Sequence, residues 1–235
     1  METKIDSREI TQEIIGWISF TFTLYFLILP SISFYKMFKG KISIEETPIS
    51  LVVTTYISCF CWYVYSGLLY STQIRLINLI GVIINAFLIL IYSLCQIKKS
   101  LSDGVLNILI IASGSYLIYL ILDQIVENDK TVGKICVGVV CLLSFFQLKT
   151  ILKIMGEKDI NVIPIFQAWF TLITVTLWGF YGYMISEYYI IFPQIIFGFL
   201  SCVQIWFYAH YKNNKFYMAF PSDEDPRKDS TNKNE

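Results

Sequence analysis

Hydrophobic positions fall into seven long runs, at residues 14–35, 48–70, 76–96, 105–126, 132–152, 162–185 and 188–210. Charges and turn residues lie between them: the lysine-rich stretch at 36–41, the turn at Gln73–Arg75, Lys98–Gly104, Glu127–Lys130, Lys153–Asn161 and the turn at Ser186–Glu187. A helix crossing about 30 Å of hydrocarbon needs about 20 apolar residues. Each run meets that length, so the pattern predicts seven membrane-crossing helices. A single run could be the core helix of a water-soluble protein. Seven in series, with so little charge between them, argue against it. Residues 1–13 form a short polar lead, and 211–235 a polar tail expected to be disordered.

Composition agrees. Of the 235 residues 55 % are hydrophobic, 17 % aromatic and only 15 % charged, with a mean hydropathy of +0.59. A water-facing domain carries about 25 % charged residues. The formal net charge is zero, which leaves no basic footprint for nucleic acid. The lead Glu2, Asp6, Glu9 and Glu13 and the length of the first run do not fit a cleavable signal. The six cysteines all lie in apolar runs, and there is one histidine, His210. Without paired Cys-x-x-Cys spacing they form no metal pattern. All six are expected to be small buried apolar residues. No catalytic group, metal or cofactor is expected, and the chain does not read as an enzyme.

Lys and Arg distribution sets the orientation. One side of the membrane receives 13 of these residues and the other 5. The predicted topology puts the C-terminus in the cytosol and the N-terminus outside or in a lumen.

The chain also repeats itself. Pro48, Trp62, Tyr65, Asn78 and Tyr92 recur as Pro164, Trp178, Tyr181, Gln194 and Tyr208, at a constant offset of 116. Upstream, Gly16 and Pro30 pair with Gly133 and Gln147 at an offset of 117. A one-residue deletion in a charged loop accounts for the change. The unit is three helices, so runs one to three (14–96) repeat as runs five to seven (132–210). The run at 105–126 is an odd linker. It makes both units enter the membrane in the same direction, as in parallel-repeat transporters. A heptahelical receptor has no reason to repeat in this way.

The pattern resembles the SWEET, or saliva-type, sugar transporters. The resemblance spans all seven runs. It is carried by LeuProSerIleSerPheTyrLysMet (29–37), TrpTyrValTyrSerGlyLeuLeu (62–69), IleAsnLeuIleGly (77–81), IleProIlePhe (163–166), TrpGlyPheTyrGly (178–182) and ProGlnIleIlePheGly (193–198). It implies an all-α membrane protein of seven helices arranged 3-1-3, working as a facilitative, bidirectional carrier of mono- or disaccharides. It also implies a homo-oligomer, at the plasma membrane or else in Golgi or another endomembrane. A related alternative is a PQ-loop transporter of amino acids or another small metabolite. Pro193-Gln194 lies in the last run here, not in the first helix of a unit, which disfavours it.

Polar groups inside a lipid-embedded bundle are costly unless they meet partners or a wet cavity. Asn78 and Gln194 offer amide donors and acceptors suited to sugar hydroxyls. Trp62 and Trp178 offer faces for the C–H surface of a pyranose and an N–H donor. The resemblance places the sugar between these two pairs and adds Ser58 as a pocket residue. A tryptophan near a span end also serves as an interfacial anchor, and an amide can bond a neighbouring backbone. Gln194 stands where the family usually has Asn. The resemblance further implies hinges at Pro30, Pro48 and Pro164, with Gln147 at the fourth, which should make that helix straighter. It implies an outer gate of a tyrosine and an acid, here Tyr65 and Glu187. Glu187 is one place off the expected position and could equally be a surface residue in a turn. Asn85 and Gln204 read as packing or lining groups. Pro193 could simply open the last helix. No Asp or Glu of the six repeat helices lies far from a helix end, so nothing couples transport to an ion.

Overall fold

In lipid a backbone amide has no water to bond, so spanning segments must close their hydrogen bonds internally. The computed structural model describes residues 7–45, 47, 49–102, 104, 105, 112, 119, 129–157 and 165–219, and those residues form six long helices. They are α1 (Ser7–Phe38), α2 (Ile49–Leu68), α3 (Thr72–Lys99), α4 (Asp129–Glu157), α5 (Ile165–Met184) and α6 (Tyr188–Ala219). Five of them, all but α5, are long and apolar enough to cross a membrane by length and composition. The linker expected at 105–126 falls outside the described residues, apart from scattered positions, as do Pro48 and Pro164.

Hydroxyls in the helices spend their donors locally. Ser19 donates to the Ile15 carbonyl at 2.7 Å, Thr55 to Leu51 at 2.8 Å and Ser93 to Ile89 at 2.9 Å. Such back-bonding makes a polar side chain tolerable in an apolar span. Large apolar side chains cover the outside: Phe87, Phe145, Phe166, Phe199 and Trp206 are all more than half exposed. Facing water such a surface would be an aggregation hazard; facing acyl chains it is solvation.

Two helix boundaries differ from the apolar pattern. α1 opens at Ser7, ahead of the first apolar run, and α6 continues to Ala219, nine residues past His210. Polar residues at span ends keep helical geometry because their head groups reach the interface. Cys202 is exposed on the outer face of α6 instead of buried, and Cys95 and Cys141 are half-buried, since an apolar run presents one side to lipid.

Within each half, the third helix packs between the other two. α3 lies against α1 and α2, and α6 lies against α4 and α5. The halves join through α1 with α5 and α2 with α4. Exchanging the halves maps one joint onto the other, because α1 corresponds to α4 and α2 to α5. The turns follow the same rule. Tyr70 (φ 53°) and Ser186 (φ 59°) are the two non-glycine residues with positive φ among those described, and they stand 116 apart. Ser71 N–H bonds the Ser66 carbonyl at 3.2 Å, and Glu187 N–H bonds the Gly182 carbonyl at 2.8 Å. This closure ends one helix and starts the next. Ser71 Oγ then accepts from Ile74 N–H at 3.4 Å, and Glu187 Oε1 from Tyr189 N–H at 3.2 Å. Both are N-caps.

The loop after α1 turns at Gly40 (φ 67°). Glu45 in that loop pairs with Lys99 at the end of α3. The ammonium holds the Glu45 carboxyl well below the usual carboxylate range.

Glycine permits close packing at the end carrying Ser71 and Glu187, between the halves at Gly16 and within the second half at Gly133. A Cβ on Gly16 would lie 3.0 Å from both Gln73 Cγ and the Tyr181 ring. A Cβ on its counterpart Gly133 would lie 2.6 Å from the Tyr189 ring. Gly138, also on α4, has nothing within 4 Å of that position. Thermal unfolding in detergent should therefore find Gly133→Ala destabilising by about 1–3 kcal/mol through overpacking. Gly138→Ala should be neutral or stabilising by up to about 1 kcal/mol. Equal shifts for the two would contradict this packing.

Candidate functional site

Trp62 on α2, Asn78 on α3, Trp178 on α5 and Gln194 on α6 line one cavity of about 130 Å³, together with Thr23, Ile74, Ile77 and Ile190. The four polar or aromatic residues singled out by the repeat are thus brought together where the halves meet. None of the lining residues is charged. Ser58 is buried one turn before Trp62 but is not among the residues lining this cavity.

Corresponding residues are held in corresponding ways. Asn78 Nδ2 donates to the Ile74 carbonyl at 2.8 Å, and Gln194 Nε2 to the Ile190 carbonyl at 3.1 Å. Each amide thereby fixes its plane with one N–H. The second N–H and the carbonyl oxygen remain as hydrogen-bonding capacity. The Trp62 ring meets Tyr65 edge-on at 5.7 Å, and Trp178 meets Tyr181 edge-on at 5.5 Å. Edge-to-face contact of this kind holds ring orientation.

One contact breaks the symmetry. Trp178 Nε1 donates to Thr23 Oγ1 on α1 at 2.7 Å. The position corresponding to Thr23 in the second half is Val140, 117 residues on, which has no acceptor. Among the described residues the Trp62 N–H bonds nothing. Trp178 is therefore anchored across the seam, while Trp62 has no matching bond to the other half.

Toward the Ser71 and Glu187 end the cavity is sealed. Tyr65 and Tyr181 are each only 1 % exposed. Tyr181 Oη shares a 2.7 Å hydrogen bond with Ser71 Oγ and donates to Gln73 Oε1 at 3.4 Å. Gln73 Nε2 in turn donates to Glu13 Oε2 at 2.6 Å. This chain of contacts crosses from α5 to α3 and α1. On the other joint, Tyr65 packs edge-on against Tyr189 at 6.1 Å, among Cys61, Val132 and Cys136. Tyr189 stands where the repeat would place Gln73, 116 residues on. The first joint carries a chain of side-chain hydrogen bonds, and at the second the Tyr65 and Tyr189 rings meet edge-on. The residues of the polar closure, Glu13, Ser71 and Gln73, were not among the sequence candidates. Tyr181 could have been found as the counterpart of Tyr65. The Glu187 carboxylate is occupied in capping α6.

Pro30 sits inside α1 and Pro193 inside α6, five residues past its start instead of opening it. Gln147 lies within the continuous helix α4 and donates from Nε2 to Ser201 Oγ on α6 at 3.1 Å. A proline there could make no such bond.

Paired helical halves around an uncharged, aromatic-and-amide cavity define the class: an all-helical membrane protein with a site at the seam of two like units. The family model described as "sugar efflux transporter for intercellular exchange" (MtN3_slv) matches residues 13–100 and again 130–216. The chain belongs to this family, the SWEET transporters. It is 26 % identical over 211 residues to the Arabidopsis thaliana protein named bidirectional sugar transporter SWEET14, covering 85 % of this chain and 73 % of that protein. It is 23 % identical over 224 residues to Arabidopsis thaliana bidirectional sugar transporter SWEET8, covering 89 % and 91 %. Its fold matches the 3.7 Å structure of a eukaryotic SWEET transporter with a TM-score of 0.78 at 16 % identity, over 89 % of this chain and 100 % of that one.

The Thr23 contact is testable. Thr23→Val leaves the Trp178 N–H without a partner and should lower stability by about 1–3 kcal/mol in thermal unfolding. Thr21→Val, which removes a hydroxyl bonded only to its own helix on an exposed face, should change stability by no more than about 0.5 kcal/mol. Indistinguishable melting of the two variants would contradict an anchoring role for Thr23.

Proposed function

We propose that this chain is a bidirectional, facilitative sugar carrier that works by alternating access. The single observation that carries the reading is the 130 Å³ uncharged cavity at the seam, lined by Trp62, Trp178, Asn78 and Gln194. Indole faces cover the C–H surface of a sugar ring, and carboxamides meet its hydroxyls. A site without charge suits a neutral polyol. Ser58, one turn before Trp62 on α2, bears on substrate size.

Transport follows from the two joints. With Tyr65 and Tyr181 buried the carrier is shut at one end. Opening that end requires α5 to part from α1 and α2 from α4. That separation breaks the bonds of Tyr181 to Ser71 and Gln73 and the edge-on contact of Tyr65 with Tyr189. A bound sugar shifts the balance only by what it gains differently in the two arrangements. In this reading a linker helix at 105–126 joins the units into a 3-1-3 arrangement. Pro30, Pro48 and Pro164 act as hinges, and α4 is stiffer at Gln147. The sealed end faces outside or a lumen and the C-terminus the cytosol, as the Lys and Arg distribution favours. The plasma membrane is the proposed location, and further copies of the chain are the proposed partners. With Asp and Glu of the repeat helices confined near helix ends, flux follows the sugar gradient alone.

The purified protein in vesicles should take up radiolabelled hexose. Trp178→Ala and Asn78→Ala should each lower uptake roughly tenfold or more, the scale of losing one well-made polar or aromatic contact. Imposing a pH difference across the vesicle membrane, and then collapsing it with a protonophore, should leave uptake unchanged. Uptake of amino acids but not sugar, or flux indifferent to both substitutions, would overturn the reading.

A further inference from the structure

An open groove runs between α1 and α3, away from the seam. Its volume is about 630 Å³, and none of its described lining residues is charged. Tyr35 and Phe38 on α1 and Phe87 and Leu94 on α3 line it, and each is at least half exposed. The groove extends from Ile28 to Phe38 on one helix and from Ile84 to Leu94 on the other. At about 1.5 Å per residue each stretch is roughly 15 Å long. That is half of a hydrocarbon core about 30 Å thick, the depth of one leaflet.

Both walls end in the same way. On α1 the groove residues Ser31 and Tyr35 are followed at steps of four by Lys39. On α3 Phe87, Ile91 and Leu94 are followed at steps of three and four by Lys98. Such steps keep side chains on one helix face. Lys39 N–H still bonds the Tyr35 carbonyl at 3.0 Å, so the turn that carries it is helical. Its ammonium stands 5.8 Å from the centre of the Tyr35 ring, a cation held against a wall of the groove. The two helix ends lie at the same side of the molecule, because Glu45 in the loop after α1 pairs with Lys99. That pair engages the described carboxylate of the loop. Duplication does not require these lysines: their counterparts in the second half are Gly156 and Asn214.

We propose that the groove is a site for one anionic phospholipid of the leaflet at that end, with an acyl chain between α1 and α3 and the phosphate at Lys39 and Lys98. A slot that is apolar for the depth of one leaflet and basic at its interfacial end matches a molecule with a hydrocarbon chain and a negative head. A zwitterionic lipid fills the slot equally well and gains less at the lysines. Both walls belong to the first half, so the occupant sits clear of the seam. The inference rests on the membrane fold and not on what the central cavity carries.

Native mass spectrometry of the full-length protein in detergent, with phosphatidylglycerol or phosphatidylcholine added, tests the site. The wild type should retain one phosphatidylglycerol per chain and much less phosphatidylcholine. Lys39→Gln together with Lys98→Gln should lower phosphatidylglycerol retention roughly tenfold or more. Lys149→Gln together with Lys212→Gln, which removes the same charge from the second half, should leave it within about twofold. All four lysines are exposed, so melting should not change in either pair. Ser31→Phe fills the groove with both lysines in place and should lower retention by a factor similar to the first pair. Equal retention of the two lipids, or equal losses from the two lysine pairs, would overturn the site and leave a diffuse attraction of lipid to basic ends. Retention untouched by Ser31→Phe would put the lipid outside the groove and overturn it too. Dimers that bind no phospholipid and disappear with Ser31→Phe would assign the groove to a second copy of the chain instead.

Discussion

A polar group inside a bilayer must find its partner within the protein or in a wet cavity, and the organisation of this molecule follows from that constraint. Most hydroxyls in the helices return their donors to the preceding turn, as Ser19, Thr55 and Ser93 do. Those groups are spent. Groups with capacity to spare gather at the seam between the halves, the outer N–H and oxygen of the Asn78 and Gln194 amides among them. A seam of this kind suits a neutral, hydroxyl-rich molecule.

The seam works because the halves are alike in backbone and unlike in chemistry. Left-handed residues at Tyr70 and Ser186 make the same turn twice, and Ser71 and Glu187 cap the helices that follow. Gly16 lets α1 close on Tyr181 of the other half, and Gly133 lets Tyr189 seat against α4. Over that shared frame, one joint is locked by Glu13, Gln73, Tyr181 and Ser71, and the other by Tyr65 on Tyr189. Thr23 holds one indole of the pair across the seam, and the other has no matching bond to the opposite half.

Much of this was legible in the chain. Runs of apolar residues located five helices that can cross a membrane and a sixth packed among them. The 116-residue offset picked out Trp62, Trp178, Asn78 and Gln194, because groups that must face one central cavity from two like units recur at equal spacing. What an offset does not carry is contact between unlike positions. Thr23 with Trp178, and Glu13 with Gln73, join residues that are not counterparts, so no periodicity marks them. Glu187 illustrates the reverse. Read alone it resembled a gate acid; read against its counterpart Ser71 it is a helix cap. Burial of single residues was the least legible property, as exposed Cys202 shows, since an all-apolar helix does not announce which side meets lipid.

The central claim is that the two halves part at the sealed end to admit a sugar. Spin labels on Tyr70→Cys and Tyr188→Cys, in a background without the native cysteines, would report that separation directly. Both positions are highly exposed, at 93 % and 79 %, and belong to different halves at the same end. Double electron–electron resonance in nanodiscs should give a short and a long distance population, with their ratio moved by saturating hexose. One distance, the same with and without sugar, would contradict the account.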